Sequence, residues 1–384
     1  MHTSEIILSK EALAFNLNYL RQEMGPEVRI SSVVKGNAYG HGIESFVPMA
    51  ESLGIEHFSV FNTEEAVRVK RVLKNPKSAI MIMGDTPAET LKWIIQSGIS
   101  FFVSDIQKLQ EAFHESKLLK KPAKIHIELE TGMNRTGFDA ATISKSVIPL
   151  LQDNRAYYEL TGLCTHFAGA ESIANYQRIE LQQKRFIKMR SQFLLADLTP
   201  SITHTCCSAA AIRLPKMRFD LVRIGILQYG FWPSPEIKIE FMRKRKLPNF
   251  NLQRVMTWTT RLMSIKKVKM GAFIGYGNSY QASEDMLIGI VPVGYSNGYS
   301  RALSNSGRVL INGTRTSVLG TINMNLFAIS LQQVENPKIG DKVVLIGAEK
   351  KQEISVASFG ELSNQLNYEL LTRLPSDIPR TPCP

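Results

Sequence analysis

No uninterrupted apolar stretch approaches the roughly 18 residues of a membrane-spanning helix, so no helical span is expected. Cysteine is scarce, with only Cys164, Cys206, Cys207 and Cys383, and none of these has the spacing of a zinc ligand set. Reduced thiols are therefore expected rather than a disulfide framework. The start, Met1-His2-Thr3-Ser4-Glu5-Ile6, lacks a basic segment followed by an apolar core and a small-residue cleavage site. No secretory signal is read there, and a cytoplasmic location is expected. Internal repeats and low-complexity tracts are absent as well. Acidic residues are the smaller charged class, 34 against 46 Lys and Arg, for a net charge of +12. Apart from Lys238, Arg243-Lys244-Arg245-Lys246 and Lys266-Lys267-Lys269, the cations are dispersed. A solvated surface explains them best, attraction of anionic small molecules comes second, and no nucleic-acid partner is expected.

What is present is a soluble-protein composition, 44% hydrophobic and 21% charged, over 384 residues. That length suits two domains, or one large barrel with an appendage. Short β-like runs alternate with helical stretches at 28–34, 57–60, 79–83, 99–103, 124–129, 159–165, 201–205 and 219–227. Helix starts are read at Asn62-Thr63, at Asp85 with Pro87 just inside, and at Asp105, while Ile173 to Leu195 has no internal Gly or Pro. Eight β/α units predict an N-terminal (β/α)8 barrel of the TIM type in an α/β protein. After residue 240 short strands separated by Ser296-Asn297-Gly298, Asn312-Gly313 and Gly340-Asp341 predict a mainly antiparallel β domain. The expected division is 1–240 and 241–384, with 234–250 as the connection and residues 1–9 available to pair with the C-terminal domain.

The barrel assignment places chemistry at the C-terminal strand ends, and the unusual polar residues fall there. Lys35 follows the first run, in Lys35-Gly36-Asn37-Ala38-Tyr39-Gly40-His41-Gly42. A lysine at a buried strand end has a lowered pKa, which frees an amine able to condense with an aldehyde. Arg135 follows the fifth run, His166 ends the sixth, Cys207-Ser208 follows the seventh, and Arg223 with Gly225 and Ile226 lies on and after the eighth. Ser208, Gly225 and Ile226 are candidate phosphate ligands through hydroxyl and backbone N–H donors. Singly, each residue has an ordinary explanation, such as a core histidine or an arginine paired with Asp220. Their convergence on one barrel face favours a site.

The octapeptide closely resembles the pyridoxal phosphate (PLP) lysine motif of alanine racemases, the fold-type III PLP enzymes, and the likeness runs through nearly the whole chain. It implies that Lys35 carries pyridoxal 5'-phosphate and that Tyr39 reaches its phosphate. Phe273 to Tyr280 resembles the segment of the family's tyrosine base, which makes Tyr276 the second base opposite Lys35. Val291 to Tyr299 matches a segment whose tyrosine, here Tyr295, narrows the substrate entrance. Asn323-Met324-Asn325 matches one whose methionine N–H meets the substrate carboxylate. The resemblance further implies that Arg223 faces the pyridine nitrogen and that Arg135 contacts both the cofactor's phenolic oxygen and the substrate carboxylate. His166 and Arg223 would supply a cationic environment for Tyr276. In this family the second domain completes the site of the other subunit, so a homodimer that racemises a small amino acid, alanine first, is expected.

Several positions depart from the family pattern. Glu128 stands where a carbamylated lysine is frequent and is expected to be the anion that orients Arg135. Asn297 and Asn325 replace aspartates, and Asn134 a glycine. In the closing motif Tyr368 to Arg380, Ser376 stands where a tyrosine can contact phosphate, and Asp377 where arginine is usual. A smaller residue at 376 opens the alternatives of serine or broad-spectrum racemisation. A PLP-dependent decarboxylase would offer the pyridine nitrogen a carboxylate, where this chain has Arg223. A single-barrel PLP-binding protein would end near residue 240, and a silent descendant would bind PLP without turnover.

Overall fold

The computed structural model describes residues 2–356 and 367–384, the side chains of 367 and 368 excepted. The chain divides into two compact units, Ala12–Lys35 with Val47–Gln253, and Met1–Glu11 with Gly36–Phe46 and Arg254–Pro384.

The first of these is the barrel. Its strands are β2 (Arg29–Val33), β3 (His57–Val60), β4 (Ala79–Ile82), β5 (Ser100–Val103), β6 (Ala123–Glu128), β7 (Tyr158–Cys164), β8 (Ile202–His204) and β9 (Leu221–Ile224). Every ladder is parallel, and β9 returns to β2 through Arg29↔Leu221 to Ser32↔Ile224. β8 and β9 meet through the bridge Cys207↔Arg223 and the bond from Asp220 N–H to Thr203 O at 3.1 Å. Strands covered on both faces need apolar side chains at successive positions. That is why β3 and β5 are buried throughout, with Phe58, Val60, Phe101 and Val103 fully enclosed.

Two expected helix caps form: the Asn62 side chain accepts from Glu65 N–H at 3.0 Å and Asp105 from Lys108 N–H at 2.8 Å. The third does not, because the helix Ala88–Gln96 starts behind Pro87 and leaves Asp85 outside. The boundary expected at 240/241 falls inside a helix, Pro235–Arg245, so 234–250 is not a plain connection. Ser234 caps this helix by accepting from Ile237 N–H at 3.2 Å, and Ile237 and Phe241 are buried. Its cationic end suits the helix dipole, and Lys244 and Arg245 pair with Glu240 and Glu23. The basic cluster is thus a solvated helix terminus.

The second unit contains β1 (Ser4–Ser9), β10 (Met256–Arg261), β11 (Ser264–Val268), β12 (Met286–Val291), β13 (Arg308–Ile311), β14 (Thr314–Leu319), β15 (Phe327–Ser330), β16 (Lys342–Glu349), β17 (Gln352–Ile354) and β18 (Arg380–Cys383). The sheet order is β11-β12-β15-β14-β13-β16-β10-β1-β18, with β17 on β16. β1 alternates, burying Ile6 and Leu8, and pairs antiparallel with β10 and parallel with β18. Trp258 and a stacked Tyr299–Phe327 pair, 4.6 Å between ring centroids, fill the interior.

Candidate active site

At the barrel's C-terminal end, Lys35 stands directly after β2. Its side chain is accessible rather than buried, which corrects the expectation of an enclosed lysine. It is nonetheless crowded by protein, and desolvation with the nearby Arg135 and Arg223 guanidiniums lowers its pKa against the opposing pull of Glu65. An accessible amine with a depressed pKa is the form that reacts with an aldehyde.

Arg223, on β9, is buried. Its Nη2 donates to Thr165 O (2.8 Å) and Thr205 O (3.2 Å), and its Nη1 to His204 O (3.0 Å) and His204 Nδ1. Nε is the guanidinium nitrogen left without a hydrogen bond among the described residues. His166 lies two residues beyond β7, in a loop fastened by the buried Gln182. The Gln182 amide donates to His166 O at 3.0 Å and accepts from Ala168 N–H at 2.9 Å. Desolvation, then Arg223, Arg135 and Lys35, push the His166 pKa down to about 3. Burial therefore favours the neutral imidazole of His166 near pH 7, against its expected part in a cationic environment.

Ser208 opens the helix Ser208–Arg213 after β8, and its hydroxyl accepts from Gly225 N–H at 3.0 Å. Ile226 N–H makes no bond among the described residues. The Ser208 hydroxyl hydrogen and the Ile226 N–H fit a phosphate, while Gly225 N–H is spent on holding Ser208 Oγ; the free donor on Arg223 fits a pyridine nitrogen and the Lys35 amine an aldehyde, so the donor set suits PLP.

Two glutamates bear on the Arg135 segment. Glu128 forms no ion pair with Arg135 among the described residues. Desolvation raises its pKa, although the Thr136 hydroxyl and the Arg135 and Arg223 charges oppose the rise. Glu130 holds the backbone of the loop. Its carboxylate accepts from the N–H groups of Gly132, Met133 (2.8 Å), Asn134 (2.8 Å) and Arg135 (3.4 Å). Asn134 sits in this loop at φ 57°, the left-handed region that asparagine tolerates better than most residues. Glu130 was missed because only the three-dimensional turn aims its carboxylate along the backbone that follows.

In the second unit, Gly36, Asn37, Ala38 and Tyr39 all have φ between 51° and 61°, one turn of left-handed helix. Such a turn costs roughly 1–2 kcal/mol for each residue that has a Cβ. Hydrogen bonds hold it: Gly40 N–H to Gly36 O (3.0 Å), Gly42 N–H to Asn37 O (2.9 Å), and Ile43 N–H to the Asn37 side chain (3.1 Å). Arg380 braces it by donating to Gly40 O at 3.1 Å while binding Pro375 O (2.7 Å) and Ser376 O (3.1 Å).

Tyr276, Tyr295 and Met324 occupy three linked loops of this unit and are 74%, 43% and 55% exposed. Thr321 Oγ donates to Tyr276 O (3.1 Å), Ser296 N–H to Met324 O (3.0 Å), and Tyr295 N–H to Asn323 O (3.0 Å). Met324 N–H has no partner among the described residues. The amides at two departures are both used. Asn297 accepts from Gly294 N–H (3.0 Å), as an aspartate would, and Asn325 donates to Ser296 Oγ (2.8 Å), as an aspartate could not. Ser376 and Asp377 are exposed.

Two family models match the chain, "Alanine racemase, N-terminal domain" over residues 8–233 and "Alanine racemase, C-terminal domain" over 255–382. An alanine racemase of Leptospira interrogans is 31% identical over 382 residues, covering 99% of this chain and 95% of that one. Alanine racemase 2 of Bacillus subtilis is 31% identical, covering 98% and 93%. Among solved structures, alanine racemase from Streptomyces coelicolor A3(2) aligns at TM-score 0.90 and 28% identity, covering 99% of this chain and 98% of that one. The Bacillus anthracis alanine racemase with bound L-Ala-P aligns at 0.87 and 28%, covering 98% and 93%. With both family models and full-length relatives in agreement, this chain belongs to the alanine racemase family and is an isomerase of the racemase class.

Proposed function

We propose that the protein is a cytoplasmic, homodimeric, PLP-dependent racemase that interconverts L- and D-alanine with Lys35 and Tyr276 as its two bases. The observation that carries the proposal is the accessible, low-pKa Lys35 sharing a barrel end with the anchored Arg223. When bound, pyridoxal 5'-phosphate draws electrons from the α-carbon of an amino acid and acidifies its proton. Lys35 would hold the cofactor's aldehyde carbon, Ser208 with the Ile226 amide and Tyr39 its phosphate, with the Gly225 amide fixing the Ser208 oxygen, and Arg223 its ring nitrogen. A guanidinium only donates, so Arg223 keeps that nitrogen unprotonated and disfavours side reactions that need a stronger electron sink.

Lys35 Nζ takes or returns a proton on one face of the α-carbon, and the phenol of Tyr276 of the partner subunit does so on the other, which inverts the centre. Arg135 and the Met324 N–H of the partner subunit orient the substrate carboxylate, and Tyr295 of the partner subunit limits side-chain size. The deciding experiment is a D/L exchange assay over a panel of amino acids with PLP-loaded protein. Fastest exchange of alanine is expected. Serine as the best substrate would point to the small, exposed Ser376, and an intact cofactor absorbance without exchange of any amino acid would refute racemisation.

A further inference from the structure

Inside the barrel, behind Arg223, a second tier of buried polar groups forms a chain with a forced direction. An arginine cannot accept a hydrogen bond, so the contact between Arg223 Nη1 and His204 Nδ1 requires a bare Nδ1. The His204 proton then sits on Nε2, which lies 2.9 Å from His126 Nδ1. His126 must accept there, so its own proton sits on Nε2, a buried atom with no partner among the described residues. The two rings meet edge to face at 5.0 Å, and both pack on Phe102, at 5.9 and 5.8 Å. Opposite His126 in the β6–β7 ladder stands Gly162. A Cβ built there would lie 2.0 Å from His126 Nδ1, so only glycine leaves room for the ring. Burial holds both imidazoles neutral at physiological pH.

We infer that His126 is a positioning residue: seated against Gly162, it accepts from His204 and fixes the tautomer through which His204 holds Arg223. The inference deepens the proposed function and rests, for its catalytic consequence, on Arg223 facing the cofactor's ring nitrogen. A tautomer fixed in this way keeps the guanidinium from turning, because a His204 with its proton on Nδ1 would oppose a donor with a donor.

Histidine-labelled 15N NMR of the natural protein tests the chain without turnover. Both His126 and His204 should carry their proton on Nε2 and should not titrate between about pH 5 and 8. A proton on Nδ1 of either ring, or titration of either within that window, would overturn the inference. His126→Leu, which cannot accept, should weaken PLP binding in an absorbance titration and lower kcat by roughly tenfold, while His126→Gln should recover most of both. Equal losses in the two variants, or none in His126→Leu, would also overturn it. If His126→Leu does not fold, the ring protonation states of the natural protein decide alone. An inactive natural protein with the expected protonation would refute racemisation and uphold the histidine assignment.

Discussion

Lys35 and the two glutamates near Arg135 show how local surroundings reassign chemistry that residue type alone suggests. Desolvation and two guanidiniums lower the Lys35 pKa, so its free amine exists at a lower pH than that of a surface lysine. Adduct formation with PLP, trapped by borohydride and read by peptide mass mapping, should therefore place the cofactor on Lys35. The pH midpoint of that reaction should lie below that of the exposed lysines, and a shared midpoint would deny the shift. Burial raises the Glu128 pKa above its unfolded value, so the folded state holds its proton more tightly. Stability attributable to Glu128 is then greatest below the usual glutamate range and declines as pH rises through the folded value. Glu128→Gln should raise the melting temperature more at pH 7 than at pH 4. Glu130→Gln should cost about 1–3 kcal/mol by weakening the acceptor of the Gly132–Arg135 amides, and kcat/KM should fall with it. The opposite pattern, a harmful Glu128→Gln beside a silent Glu130→Gln, would return the orienting role to Glu128.

At the scale of the element, the left-handed turn after Lys35 stores strain that its neighbours must hold. Gly40 has φ 80°, and a Cβ there would lie 1.9 Å from Leu371 O, a backbone atom that cannot swing aside. Gly40→Ala should destabilise the protein by about 2–4 kcal/mol, the sum of a disfavoured dihedral and an overlap. Gly98→Ala makes a useful control, since its φ is also positive but nothing lies within 4 Å of the added methyl. Urea midpoints that fall equally in the two variants would show that dihedral strain alone matters and that the Leu371 contact does not. The barrel loop after β7 is held differently, by the single buried side chain of Gln182.

At the scale of the whole molecule, the proposal that Tyr276 serves the partner subunit is open to a complementation test. Lys35→Ala and Tyr276→Phe homodimers should each be inactive. Mixed under conditions of subunit exchange, they should regain up to about a quarter of natural activity, because half the dimers are mixed and each has one intact site. Exchange demonstrated by mass spectrometry without any recovery would place both bases within one chain. The charge of +12 adds to this a surface favourable to a phosphate-bearing cofactor and an amino-acid carboxylate. Cofactor association should accordingly slow as salt rises, a dependence that stopped-flow absorbance would measure.

By itself the sequence determined the eight barrel strands, the β-rich second part and the lysine motif, because strand periodicity, helix caps and glycine spacing are local and survive without neighbours. Each expected barrel run overlaps an observed strand, and His57–Val60 coincides with its run. It also identified the polar residues at the strand ends, since a parallel barrel assigns them one face. Tertiary structure alone decided the helix at Pro235–Arg245, where a Ser-Pro start ahead of a cationic tail reads equally well as a linker. It decided the left-handed sense of Gly36 to Tyr39, which the glycines permit and Arg380, some 340 positions away, supports. It decided that burial favours a neutral His166 and that the Glu130 carboxylate gathers the Gly132 to Arg135 amides, because burial and hydrogen-bond direction belong to no single segment. The histidine chain behind Arg223 is the plainest case. His126 and His204 stand 78 positions apart, and only closure of the barrel brings their ring nitrogens to 2.9 Å.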